Sequence, residues 1–473
     1  MNKSIYFLFL ILSYLISCKE TTKPLTINFT GDLILSRGVE DELSIHGDSL
    51  LSNSIKPLFD GDYNVINLET VLTELEDERK SGYSFRNEPD ILEYLKIGGV
   101  SHASLANNHS GDLGIQGYLD TQSSLKTHEI YPLGIDCQPI QLSNGENTGA
   151  ILAVSLTTNN DHLCIKDSAS LIGAVEQFIQ RNKETPLIVY IHWGLEYQLR
   201  SERWQQELAY RLIDKGADAI IGHHPHVFQS FEVYKRKPII YSLGNFVADA
   251  YLPNTTTSVM VQVKIESDSL EVGLIPIDLS SYFPAKMSEK DEVKMLISNL
   301  KYSQGMCVYK SDNQWFMKDI DEVNFQEEAS HWIFHYNNQY GVLVSKLSNG
   351  QLKLALTIGG VPRKPMLIHG DLSEIEFADV TNDGRVEMLL GITKKVNFDP
   401  RNRKRINVFR VEDESLQVVW LGTKFLDDIL SFEVVNKGQF SYLQTLEIDS
   451  NKTQYSRLYE WDQFGFALNN QLQ

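Results

Sequence analysis

Gly222-His223-His224-Pro225-His226 puts three imidazoles within four residues, directly after the apolar run Ala219-Ile220-Ile221. Neutral imidazole is the commonest side-chain ligand for a transition metal. The proline between His224 and His226 holds the backbone out of the helical region, so a strand-end loop can aim both rings at one point. The same layout, an apolar run ending in ligand-capable residues, recurs at Phe29-Thr30-Gly31-Asp32, Asn67-Leu68-Glu69-Thr70, Ala106-Asn107-Asn108-His109 and His192-Trp193-Gly194. Each piece alone has a structural explanation, since Asp after Gly marks turns and Asn-Asn-His can cap a helix. Together they offer carboxylates, imidazoles and an amide oxygen, a donor set suited to Zn, Mn or Fe.

The elements that must position these groups read as alternating strands and helices. The spacing predicts strands over Leu25–Phe29, Val65–Leu68, His102–Leu105, Ala150–Ser155, Leu187–His192, Ala219–Ile221, Pro238–Ser242 and Val259–Ile265. Helical patterns lie between them at Glu88–Ile97, Ile115–Thr127, Ser170–Asn182 and Glu202–Lys215. That alternation argues for an α/β domain over 25–282 with a largely parallel sheet, whose sites gather beyond the carboxyl ends of the strands. Ser288-Glu289-Lys290-Asp291 opens an amphipathic helix, either the last of the first domain or part of a helical linker over 283–304. Short alternating stretches separated by turn residues follow, so residues 305–473 are expected to be a smaller all-β domain.

The motif series Phe29-Thr30-Gly31-Asp32, Asn67-Leu68-Glu69, Ala106-Asn107-Asn108-His109-Ser110-Gly111-Asp112, His192-Trp193-Gly194-Leu195-Glu196-Tyr197, Gly222-His223-His224-Pro225-His226 and Ser242-Leu243-Gly244-Asn245 resembles that of the CapA family of poly-γ-glutamate capsule biosynthesis proteins. The resemblance runs from about Leu25 to Leu279. It implies a calcineurin-like metallophosphoesterase fold, an α/β/β/α sandwich. It also implies that Asp32, Glu69, Asn108, His192, His224 and His226 hold a divalent transition metal (Mn, Zn or Fe). His109 falls where that superfamily keeps a histidine beside the metal centre to stabilise or protonate the leaving oxygen. Asp112 either orients His109 or caps the helix that follows. Two positions depart from the phosphoesterase pattern. Ile34 stands where a histidine is usual, and Glu69 replaces an aspartate, which leaves a dinuclear, a single-metal or a vestigial site open.

Candidate substrate-binding residues are Arg86, Glu196, Tyr197 and Asn245. Arg86 could grip a carboxylate or phosphate bidentately, or simply form a salt bridge. Asn245 could line the pocket, or serve a Gly-Asn turn. In the second domain Asp379, Asp383 and Glu387 flank Gly384 in the manner of a calcium loop, though a hairpin turn explains the same residues.

Residues 1–18 read as a secretory signal whose Leu-Ile-Ser-Cys end resembles a lipobox, with Cys18 as the lipidated residue. Acyl chains would then anchor the protein to a bacterial membrane, in the cell envelope. Cys137, Cys164 and Cys307 make no disulfide framework, although Cys137 and Cys164 could pair. The formal net charge of −19 and the lack of a basic patch argue against nucleic acid as a partner. The expected partners are the membrane, an anionic polymer or phosphoester substrate, and other capsule-synthesis proteins. Two functions fit these features: a metal-dependent hydrolase in capsule or exopolymer biosynthesis, or a non-catalytic binding or scaffolding subunit of a polymer-export complex.

Overall fold

A computed structural model describes residues 23–76, 84–136, 138–157, 167–267 and 269–299, and most of 306–469. The signal segment with Cys18, and also Cys137 and Cys164, lie outside the described residues, while Cys307 is buried. Through the first part of the chain the main strands are β1 (Leu25–Leu33), β2 (Tyr63–Leu68), β3 (His102–Ser104), β4 (Thr148–Ser155), β5 (Leu187–His192), β6 (Ala219–His223), β7 (Lys237–Ile240), β8 (Asn245–Val247), β9 (Thr257–Glu266) and β10 (Ser269–Asp278). The helices are α1 (Gly38–His46), α2 (Ser49–Ile55), α3 (Ile91–Ile97), α4 (Gly114–Thr127), α5 (Ser168–Arg181), α6 (Arg203–Asp214) and α7 (Glu289–Asn299). This part of the molecule is an α/β fold.

Two sheets face each other. In one, β4, β5, β6 and β7 run parallel in that order. In the other, β1 pairs parallel with β2, and β2 with β3. On its opposite side β1 pairs antiparallel with β9, and β9 with β10, so this sheet is mixed rather than parallel. The tight connection from Glu266 to Ser269 is too short for a crossover, which forces the antiparallel pairing.

The strands bury both faces. Leu25, Ile27 and Phe29 on β1 meet Ile188 and Tyr190 on β5 and Ile221 on β6 between the sheets. Leu33 and Ile66 turn to the opposite face, under α1, α2 and α3. Val189, Ile191 and Ile220 turn outward under Leu171, Val175 and Phe178 of α5 and Leu208 and Leu212 of α6. Each fully buried aliphatic side chain contributes about 1.5–3 kcal/mol, so these three layers fix how the strand ends meet. Local signals set the helix ends. The Asp167 side chain accepts from Ser170 N at 2.7 Å, and Glu202 with Gln205 forms a capping box on α6.

The mixed sheet continues beyond α7, because Gln314–Asp319 pairs antiparallel with β10 at Gly273 and Leu274. Met306–Ser311, His331–His335, Tyr340–Lys346 and Gln351–Ile358 extend it strand by strand. Two antiparallel four-stranded meanders follow, Asp371–Trp420 and Asp428–Leu468. Among the described residues no helix is long and apolar enough to cross a membrane.

Candidate metal centre

The carboxyl ends of β1, β2, β3, β5 and β6 converge. Asp32 ends the inward run of β1, opposite Asn67 on β2 and Asn245 on β8. This approach needs Gly31, because a Cβ there would lie 1.7 Å from Gly244 O, the acceptor for Asp32 N. His192 and His223 close β5 and β6 side by side. Beyond His223 the backbone turns through positive φ at His224 (100°) and His226 (59°), and that turn brings both rings back over the strand ends. Tyr197 N donates to Pro225 O at 2.8 Å and ties the 194–201 loop to this turn.

Asp32 Oδ2 lies 3.1 Å from both His224 N and His226 Nδ1, and Asp32 Oδ1 accepts from Asn67 Nδ2 at 2.8 Å. His192 Nε2 is 2.6 Å from Asn108 Oδ1 and 3.8 Å from Glu69 Oε1. Asp32, Glu69, His192 and His223 are fully buried. Burial pushes the Asp32 carboxyl up, but the His223 and His226 imidazoles beside it outweigh burial and hold the group well below its usual range. Glu69 is pushed well above its usual range by burial and by the Asp32 charge. Burial lowers His192 and His223, and His224 falls to about 3. Burial also works against a charged His226, yet Glu69 and Asp32 raise it to about 10.

Glu69 tests whether a cation belongs here. Both of its oxygens are buried and face no hydrogen-bond partner among the described residues, and the same holds for His224 Nδ1 and His223 Nε2. Native structures rarely leave such atoms unpaired without a reason. Asp32, His192 and His223 form one group whose ligand atoms lie within 4.8 Å of one another, and Glu69, His224 and His226 form another. Oxygen and imidazole donors with no thiolate suit a divalent first-row ion. The residues fit a metal.

The other candidates divide. His109 Nδ1 sits 2.8 Å from Asp112 Oδ2, which also accepts from Phe85 N, and His109 Nε2 lies 3.9 Å from Glu69 Oε1. Asn245 Oδ1 meets His226 Nδ1 at 2.9 Å, so this side chain braces the cluster. Tyr197 is exposed with its ring 5.8 Å from that of His226, and Glu196 is exposed beside it. Arg86 instead donates to Leu75 O at 3.0 Å and to Glu88. A guanidinium that sequence reasoning missed, Arg37, is held bidentately by Asp249 and stacks 5.4 Å from the Phe85 ring, which packs on His109. Arg37 has φ 61°, a strained value for a non-glycine residue and the kind of outlier that collects near functional sites. Asp379, Asp383 and Glu387 gather, but the Arg410 guanidinium already contacts Glu387 and Asp383.

The family model described as bacterial capsule synthesis protein PGA_cap matches residues 26–250, which contain every donor of this centre. The capsule biosynthesis protein CapA of Bacillus anthracis is 28% identical over 334 residues, 66% of this chain and 80% of the relative. A probable polyglutamine synthesis accessory protein of Mycobacterium tuberculosis is 27% identical over 215 residues, 40% of this chain and 56% of that protein. The PGA biosynthesis protein CapA of Bacillus subtilis (strain 168) is 30% identical over 288 residues, 57% of this chain and 75% of the relative. Identity at that level over that share of a relative, on top of the family match, makes this chain a member of the bacterial capsule synthesis protein family.

Proposed function

We propose that this protein is an exported, lipid-anchored envelope protein that acts in synthesis of capsule, poly-γ-glutamate or a related exopolymer as a metal-dependent hydrolase of the phosphoesterase type. The observation that carries this reading is the buried, unpartnered Glu69 carboxylate beside Asp32, with His192, His224 and His226 around it. Asp32, Glu69, Asn108, His192, His224 and His226 would hold the ion. When bound, a divalent cation there supplies Lewis acidity and acidifies water near neutral pH.

The chain's own residues do the rest. Asp112 accepts a hydrogen bond from His109 Nδ1, which leaves Nε2 turned toward Glu69 and the centre. Protonated on both ring nitrogens, a histidine so held can hand its Nε2 proton to a leaving oxygen. Phe85 packs on the His109 ring, with centroids 4.2 Å apart, and limits its rotation. Asn245 fixes the ring of His226. The exposed Tyr197, its ring 5.8 Å from that of His226, is the side chain that an anionic polymer or phosphoester would meet beside the centre.

A second reading has its own support. Ile34, which is buried, stands where phosphoesterases usually place a ligand histidine, and the strands that follow α7 extend the sheet. Both features suit a non-catalytic binding or scaffolding subunit of a polymer-export complex. One experiment separates the two. Elemental analysis of the purified full chain should find Mn, Zn or Fe, and His224→Ala with His226→Ala should remove it. With Mn added, His109→Ala should lower phosphodiester or γ-glutamyl hydrolysis by about 10²–10⁴-fold while metal stays bound. Equal background rates for wild type and variant select the scaffold.

A further inference from the structure

Building on the metal-centre reading, we infer that His223 is a positioning residue: its Nδ1 accepts a hydrogen bond from His192 and turns the other ring nitrogen of His192 toward Asn108 and Glu69. The two histidines stand opposite each other on the parallel strands β5 and β6, so their rings share a face, with the Nδ1 atoms 2.8 Å apart. The Nε2 side of His192 holds Asn108 Oδ1 at 2.6 Å and the unpartnered Glu69 oxygens. On the Nδ1 side, Asp32 Oδ1 already accepts from Asn67. A ligand position for His192 is therefore at Nε2.

A neutral imidazole that ligates through Nε2 carries its proton on Nδ1, and a buried N–H needs an acceptor. Asp32 Oδ1 is 3.8 Å from His192 Nδ1, beyond reach. Asn67 Nδ2 is 3.4 Å away but is a donor turned to Asp32, because Asn107 Nδ2 donates to Asn67 Oδ1 at 3.1 Å and fixes the amide. His223 Nδ1 remains. The Tyr190 ring packs 4.3 Å from the His223 ring, and the Tyr190 hydroxyl is tied to Thr30 O at 2.6 Å, so the accepting ring is clamped. Partners of metal-binding histidines are usually carboxylates or carbonyls, and a second imidazole does the same work here.

The test titrates Zn and Mn by calorimetry into metal-stripped full-length wild type, His223→Asn and His223→Phe. Asn keeps an acceptor oxygen near the Nδ1 position, and Phe fills the space without one. His223→Phe should bind about 10–100-fold more weakly with an unchanged number of ions per chain. His223→Asn should stay within about threefold of wild type. His223→Leu, also without an acceptor, replaces His223→Phe if that variant does not refold. Unchanged affinity without an acceptor overturns the role, and loss of one ion per chain makes His223 a ligand and overturns it too. A wild type that binds no metal sinks the metal-centre reading itself.

Discussion

His102 lies buried where β3 begins, with the rings of Tyr63 and Tyr131 on either side, Ser101 Oγ 2.9 Å from its Nδ1 and the Lys96 charge nearby. Burial, and then Lys96, push this imidazole down to about 4 from its ordinary 6.5. Unfolded chains take up a proton below about pH 6.5 that the folded chain refuses until about pH 4, so folding loses free energy as pH falls through that window. The loss is about 3 kcal/mol at roughly 1.4 kcal/mol per pH unit. In metal-free protein, urea midpoints from pH 7 to pH 4 should fall less for His102→Gln than for wild type, and equal slopes would refute this assignment. Single residues were legible in the sequence mainly by chemical type. Asp32, Glu69, Asn108, His192, His224 and His226 stood out as donors, and the structure gathers them. The supports did not stand out. Strand alternation alone cannot tell which of His223 and His224 faces which partner, because positive φ at His224 resets the pattern. Asn67 and Asn107 act only through a chain of amide hydrogen bonds, which no spacing reveals.

At the level of elements, two glycines should respond to alanine with opposite signs. A Cβ on Gly31 would press into Gly244 O, so Gly31→Ala should destabilise by about 1–3 kcal/mol and weaken metal binding by moving Asp32. Gly173 in α5 has open space around its Cβ position, and Gly173→Ala should stabilise by about 0.4–1 kcal/mol. Thermal melts of both variants check the pair. The strand series was legible because β5 and β6 open as continuous apolar runs, while β1 alternates Leu25, Ile27 and Phe29 with polar residues. Ends were less so. Helix α3 starts at Ile91 rather than Glu88, since Pro89 disfavours helical backbone at the residue before it. In the C-terminal meanders buried Glu387 is gripped by Arg410, and buried Glu447 by Arg457. The repeat was invisible in the sequence, because the partners sit 23 residues apart in one meander and 10 in the other.

Across the whole molecule, β1 has a direction that matters for an anchored protein. At its start Lys23 is tied down, its N–H donating to Glu146 at 2.7 Å and its ammonium to Asp62 at 2.6 Å, while Asn147 donates to its carbonyl. At its other end stands Asp32, roughly 23 Å from Leu25 at about 3.3 Å per residue. If Cys18 carries the lipid, the five steps to Lys23 reach at most about 18 Å. Cys18→Ser should then release the protein from the membrane fraction. On vesicles, a nitroxide at Ser269, in the hairpin beside Leu25, should sense lipid, and one at Tyr251 should remain in water; the reverse pattern would refute this orientation. A lipid on Cys18 would then place the tether and the metal centre at opposite ends of β1, like a buoy moored from below. In that arrangement a ligand would reach the centre from the aqueous side and not from within the bilayer.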